Sequence, residues 1–326
     1  MSDSGFPFNS PHADVILKSS DGVNFRVRKA ILAETSSVFD GMFSLPTEQS
    51  AEADGAGTPA LQVVDMTEDS ATLEGFLRLC YPADVCTREP TFEEVSMWLV
   101  ASRKYQMDRM ERHVVHTLRE FIATSPLRVY CLAVRYQLGE DLVRAAARGF
   151  LDQPIQVAYG HVPELDGMDT AAYARLLDYH NRCSAAVQQI LSDPATAFQG
   201  GVWSKRCWLL CHSERNDFRF RSSSTHVFCT LGTLSDGALH ATRASLWFCQ
   251  FMDRCRALAK EQPSGKEVSS ESTIARALLD AGKCDYCRDQ AWDDMHAFAQ
   301  ILARTIDLAI KMVQCSYLTY LHDSPD

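Results

Sequence analysis

The sequence predicts an α+β protein: an N-terminal domain with a short three-stranded sheet and helical hairpins, followed by a mostly helical C-terminal region. Three observations carry that expectation. A β-branched run and an Asp-Gly turn stand near the N-terminus. A loop of small, acidic and Gly/Pro residues then leads into another β-branched run. Beyond it, apolar residues recur with a period near 3.6 almost to the C-terminus.

The elements follow in order. Ala13-Asp14-Val15-Ile16-Leu17-Lys18-Ser19 suits a strand, Asp21-Gly22 a turn, and the alternation Phe25-Arg26-Val27-Arg28 a returning strand. A helical stretch opens at Lys29, and Ser36 is placed to cap a second helix through Phe43. Residues 44–60 read as a solvated loop, and Leu61-Gln62-Val63-Val64 as the third strand. Ser70 stands where it can cap a helix whose stripe is Leu73, Phe76, Leu77 and Cys80, ended by Tyr81-Pro82. Two helices are expected at 90–105 and 107–121. Another begins at Pro126, with Gly139 as its C′ residue. Helices at 140–151 and 170–191 follow, then a boundary at Asp193–Gly201. The last third predicts short elements at 202–236 and two helices, at 240–261 and 289–321, parted by Gln262-Pro263-Ser264-Gly265.

Composition narrows the function. A chain of 326 residues suits two or three domains, and 46% hydrophobic content supplies their cores. No run approaches the ~20 apolar residues of a membrane span, and Met1–Phe8 lacks the pattern of a signal peptide. The formal net charge of −10, with acidic residues dispersed, opposes direct nucleic-acid binding. Twelve cysteines without a secretory signal read as reduced thiols, so the expected location is intracellular, cytoplasmic or nuclear. No G-x-S-x-G, H-E-x-x-H or phosphate-loop word occurs, and the chain is expected not to be an enzyme.

The words of the first third resemble the BTB/POZ domain. Ala13–Leu17 with Phe25–Ala33 is similar to the opening of that family, Ser37–Phe43 to its second helix, and Leu73–Tyr81 to the helix that closes its core. A longer resemblance, through Ala101, Lys104, Tyr105, Met107 and Pro126–Tyr130, is to large fungal BTB families with a helical and Trp/Cys-containing C-terminal region. The expected organisation is a disordered tail at 1–10, a BTB/POZ domain at 11–122, a helical extension at 123–196 and a mostly helical Cys/Trp-containing domain at 197–326. The resemblance implies an adaptor that binds protein partners, such as another BTB domain, a cullin-type ubiquitin-ligase scaffold or transcriptional corepressors. Three features depart from the family. Arg28 stands where a histidine is usual, Pro7 and Pro11 spoil the N-terminal helix of swapped dimers, and Leu45-Pro46-Thr47-Glu48 is one residue too long for the cullin-binding word.

Candidate partner-binding residues are therefore Asp14, Arg28, Lys29, Phe43, Leu45 and Glu48. For Asp14 and the Arg28-Lys29 pair, the competing reading is an ion pair that ties strand to helix. No cofactor is required. One metal site is nevertheless a candidate, because Cys284-Asp285-Tyr286-Cys287 has the C-x₂-C spacing with which two thiolates grip one zinc. Cys211 and His212 are the nearest further ligands, with Cys207, Cys229 and Glu214 behind them; buried, unliganded thiols are the alternative. His113 and His116 read as solvated. Trp203, Trp208, Trp247 and Trp292 read as core residues of the last domain.

Overall fold

The computed structural model describes residues 2–5, 7–45, 61–81, 89–192, 206–209, 231–234 and 242–313. The chain divides into two compact units, Met1–Thr124 and Ser125–Asp326.

In the first unit, β2 (Val15–Lys18) and β3 (Val23–Val27) form the expected hairpin, with Val15 opposite Val27 and Lys18 opposite Asn24. Gly22 makes the turn at φ +86°, a conformation that costs glycine little. β4 (Gln62–Asp65) lies parallel to β2, so the three expected strands are present. A two-residue strand β1 (Ser2–Asp3) adds parallel to β3, giving the order β1-β3-β2-β4. Val15, Leu17, Phe25 and Val27 point into the core.

The N-terminal tail corrects the sequence reading. Residues 1–10 were expected to be disordered, but Phe8 is wholly buried against Phe25 and Tyr81, at ring distances of 5.8 and 5.5 Å. Its carbonyl accepts the Arg26 N–H at 2.8 Å. One aromatic ring buries enough apolar surface to offset the ordering of a short segment.

The helices of this unit are α1 (Lys29–Thr35), α2 (Ser37–Ser44), α3 (Ser70–Cys80), α4 (Phe92–Lys104) and α5 (Asp108–Glu120). Ser36 caps α2 as expected: its Oγ accepts from Phe39 N–H at 3.0 Å and donates to the Tyr105 carbonyl at 2.5 Å. At α3 the cap is Asp69, which accepts from Thr72 N–H. Ser70 instead donates through both N–H and Oγ to Asp21, clamping the hairpin turn to the helix start. Thr91 and Glu94 form a capping box on α4. Trp98 packs so closely on Gly75 that a Cβ there would lie 2.5 Å from the indole.

The second unit contains α6 (Pro126–Arg135), α7 (Glu140–Phe150) and α8 (Thr170–Ser192), then a hairpin of β5 (Leu231–Leu234) and β6 (Thr242–Ser245). α9 (Leu246–Glu261), the short α10 (Gly265–Val268), α11 (Glu271–Ala281) and α12 (Asp285–Met312) follow. Four expectations change here. The left-handed residue after α6 is Gln137, at φ +52°, whereas Gly139 at φ +100° is the N-cap of α7. The helix expected from 240 begins at Leu246, because Thr242–Ser245 pair as a strand. α11 was not expected at all, and α12 starts earlier than 289.

The fourth change concerns the division at 196/197. Residues 193–201 lie outside the described residues, but the helices on either side pack together. Ser184 Oγ donates to the Ala259 carbonyl, Gln188 Nε2 to the Arg256 carbonyl and Arg256 Nε to the Leu191 carbonyl. The expected extension and C-terminal domain therefore form one packing unit. At its centre Trp208 stacks on Phe248 at 4.2 Å and meets Trp247 and Phe298 edge-on, with Phe251 closing the cluster. Where α10 passes α12, Gly265 is required, since a Cβ would lie 2.5 Å from the Ala303 carbonyl oxygen.

Candidate functional site

Of the predicted partner-binding residues, Asp14, Arg28, Lys29, Phe43 and Leu45 lie on or beside α1 and α2, and their roles divide. Asp14 Oδ1 accepts the backbone N–H of Lys29 at 2.7 Å. Its carboxylate thus serves the first turn of α1, where an anion is favoured by the helix dipole. Among the described residues no ion pair joins Asp14 to Arg28 or Lys29; strand and helix are tied instead through the Lys29 backbone. The Arg28 N–H donates to the Tyr81 hydroxyl at 2.9 Å, and the Arg28 side chain faces solvent. Burial raises the Tyr81 phenol above its ordinary range, so it stays protonated.

Lys29 reaches across to the β4 edge. Its Nζ donates to Gln62 Oε1 at 2.6 Å and stands 5.4 Å over the Phe43 ring. Phe43 in turn stacks on buried Phe39 at 5.7 Å and remains half-buried. Just past α2, Leu45 is 68% exposed. The result is an apolar lip, Phe43 and Leu45, beside a tethered ammonium. Glu48 lies outside the described residues.

A groove of about 830 Å³ opens on another side of this unit, where the α1–α2 junction faces the α4–α5 turn. Its charged wall sets Glu34, Asp40, Asp108 and Glu111 against Arg103, Arg109 and Arg112. Ser37 Oγ donates to Gln106 Oε1 across the gap, and Gln106 holds a left-handed φ of +50°. Nearby, Glu68 accepts from Lys104 Nζ at 2.8 Å and Tyr105 Oη at 2.7 Å. Burial acts to raise the Glu68 carboxyl, but those two hydrogen bonds outweigh it and hold it below its usual range. The sequence reading missed this groove, because its walls come from positions some 70 residues apart.

The thiol pair sits in the second unit. Cys284 is the N-cap of α12 and Cys287 lies in its first turn, 2% and 0% exposed. Further along the same helix, Asp294 binds Arg206 Nη1 at 2.7 Å and the Cys207 N–H at 2.7 Å, fixing residues 206–209 on α12. Cys211 and His212 lie outside the described residues, as do Cys229 and Glu214. Among the described residues, no three metal-type ligands cluster. Elsewhere Cys131 and Cys255 are buried, and burial pushes each thiol up to about 12, so neither is a nucleophile at neutral pH. Trp208 and Trp247 are core residues as expected, Trp203 lies outside the described residues, and Trp292 is 62% exposed. His113 and His116 are exposed on α5. Among the described residues, no helix is long and apolar enough to cross a membrane.

A comparison with protein families matches the BTB/POZ domain over residues 7–122. No curated protein matches the chain. The match covers β2, β3 and β4, the capped α1–α2 pair and the α4–α5 hairpin, and it reaches back to include Phe8. With that architecture and that match in hand, the chain is a BTB/POZ domain-containing protein, its first unit a protein-interaction module.

Proposed function

We propose that this protein is an adaptor that holds a protein partner at the lip formed by Phe43 and Leu45, beside Lys29. One observation carries the reading: an interaction module leaves a leucine two-thirds exposed at the end of a short helix, next to a half-buried phenylalanine. Apolar anchors of that kind, rimmed by polar groups, are the usual energetic centre of an interface. The resemblance supports a cullin-type ubiquitin-ligase scaffold as the more specific partner, since Leu45 and Glu48 are the nearest match to the family's cullin-binding word. A transcriptional regulator working through protein partners is the rival reading.

The test is affinity purification of the full chain beside a Leu45→Asp variant. The adaptor reading expects a partner that Leu45→Asp loses while the melting temperature stays within about 1–2 °C, because the side chain is solvent-facing. A cullin in the recovered set selects the ligase reading, and a corepressor selects the other. Recovery of no partner by the unchanged protein rejects all three.

The thiol pair supports a separate proposal, a structural zinc held by Cys284 and Cys287. An N-cap residue and one in the following turn share a helix end, and two buried thiols so placed match the first half of a tetrahedral site. Cys211 and His212 are the sequence candidates for the other half. Elemental analysis of the purified chain is expected to find one zinc per molecule, lost in Cys284→Ser. Metal-free protein of full stability rejects it.

A further inference from the structure

We propose that the exposed face of α5 is a docking surface for an acidic segment of a partner protein. This deepens the adaptor reading by giving the partner's chemistry at a second place on the module. Arg109, Arg112, His113, His116 and Arg119 recur at helical spacing, and all five are exposed. Met110, Val114 and Leu118 on the opposite side of the helix are buried.

Residues 1–124 contain 19 Asp and Glu against 11 Lys and Arg, and five of those 11 cations fall between 103 and 119. In so acidic a unit, half of the described cations pair with carboxylates. Arg26 pairs with Asp3, Arg78 with Glu74, Arg103 with Glu111 and Lys104 with Glu68. Arg109, Arg112 and Arg119 pair with none among the described residues. The acids of α5 do not neutralise the stripe. Asp108 lies at its start, Glu111 is committed to Arg103, and Glu120 closes its end.

A solvated helix face usually interleaves the two signs, as Glu140 and Arg144 do on α7. Here Arg109 and Arg112 stand one turn apart, an arrangement that weakens a helix slightly unless something binds it. The groove of about 830 Å³ opens at the same end, but Glu34, Asp40, Asp108 and Glu111 share its wall with Arg109 and Arg112, so the acidic segment is placed on the open face of α5 and not in the groove. Guanidinium forks suit carboxylates, which they bind through paired hydrogen bonds.

The experiment titrates the full chain with a fluorescent oligo-glutamate peptide at low and at physiological salt. Binding is expected to weaken as salt rises. The triple change Arg109→Glu, Arg112→Glu, Arg119→Glu is expected to weaken it by ~10-fold or more, and the triple lysine variant to keep most of it. Circular dichroism checks that each variant is folded. A second titration uses a single-stranded oligonucleotide. No peptide binding at low salt, equal binding by the charge-reversed chain, or tighter binding of the oligonucleotide on this face would each overturn the proposal. Leu45→Asp separates the two ideas: peptide binding that survives it is expected here, whereas partner capture at the lip is not.

Discussion

The two units of this chain solve the same packing problem by different means. In the first, the core is small and the elements are cross-tied by side chains: Asp21 on Ser70, Ser36 on the Tyr105 carbonyl, Glu68 on Lys104 and Tyr105. In the second, long helices surround one aromatic cluster, and the ties run mostly from side chains to helix carbonyls. A module held by point ties must keep particular residues at particular places, which is why its sequence carries recognisable words. A helical unit held by area tolerates many apolar choices. It leaves no comparable words.

That contrast can be broken, and the largest effect should come from the aromatic centre. Trp208→Ala is expected to cost the second unit ~4 kcal/mol, since a wholly buried indole leaves a cavity among four other rings. Hydrogen exchange measured by mass spectrometry should show α9 and α12 opening while β2 and β3 keep their protection. If β2 and β3 lose protection equally, the two units do not differ as described.

Phe8→Ala is the counterpart in the first unit, with an expected loss of ~3 kcal/mol. Its effect should appear in β3 and at Tyr81, and a loss near zero would return residues 1–10 to the status of a tail. Ser36→Ala tests the point ties directly. It removes a helix cap and leaves the Tyr105 carbonyl short of a donor, for ~1–2 kcal/mol by chemical denaturation. If Ser36→Thr restores most of that loss, the hydroxyl rather than the volume is responsible.

The smallest expected effect is a pH dependence confined to the second unit. His180 is buried beside Phe150, with Nε2 3.2 Å from the Glu261 carbonyl and Nδ1 without a partner among the described residues. Burial lowers its pKa from about 6.5. Protonation therefore favours the unfolded chain. The stability it contributes is present above about 6.5 and is lost as pH falls through the folded-state value. The unfolding midpoint should drop as pH falls below about 6.5, and His180→Gln should flatten that slope.

Much of the first unit was legible in the sequence because its signals are local. The Asp21-Gly22 turn, the Ser36 cap and the β-branched strands each act within a few residues. Ser70 misled by one position, since Asp69 accepts from Thr72 and frees Ser70 to bind Asp21, a partner 49 residues away. Gly139 misled because two left-handed positions stand close together, and Gln137 took the helix-ending one. α11 escaped because its buried stripe is Thr273, Ile274, Ala277 and Ala281, too small-sided to stand out. Of the candidate site, the Phe43–Leu45 lip was readable from resemblance. The role of Gln62 in holding Lys29 was not, since it depends on the parallel register of β4 with β2.

The burial of Phe8 has a practical consequence for anyone producing the interaction module alone. A version trimmed to start at residue 11, the natural choice from strand boundaries, would strip a ring from between Phe25 and Tyr81 and leave a greasy hollow open to neighbouring molecules. Such material should clump during purification. A start at residue 2, with any affinity handle moved to the far end, should stay monodisperse.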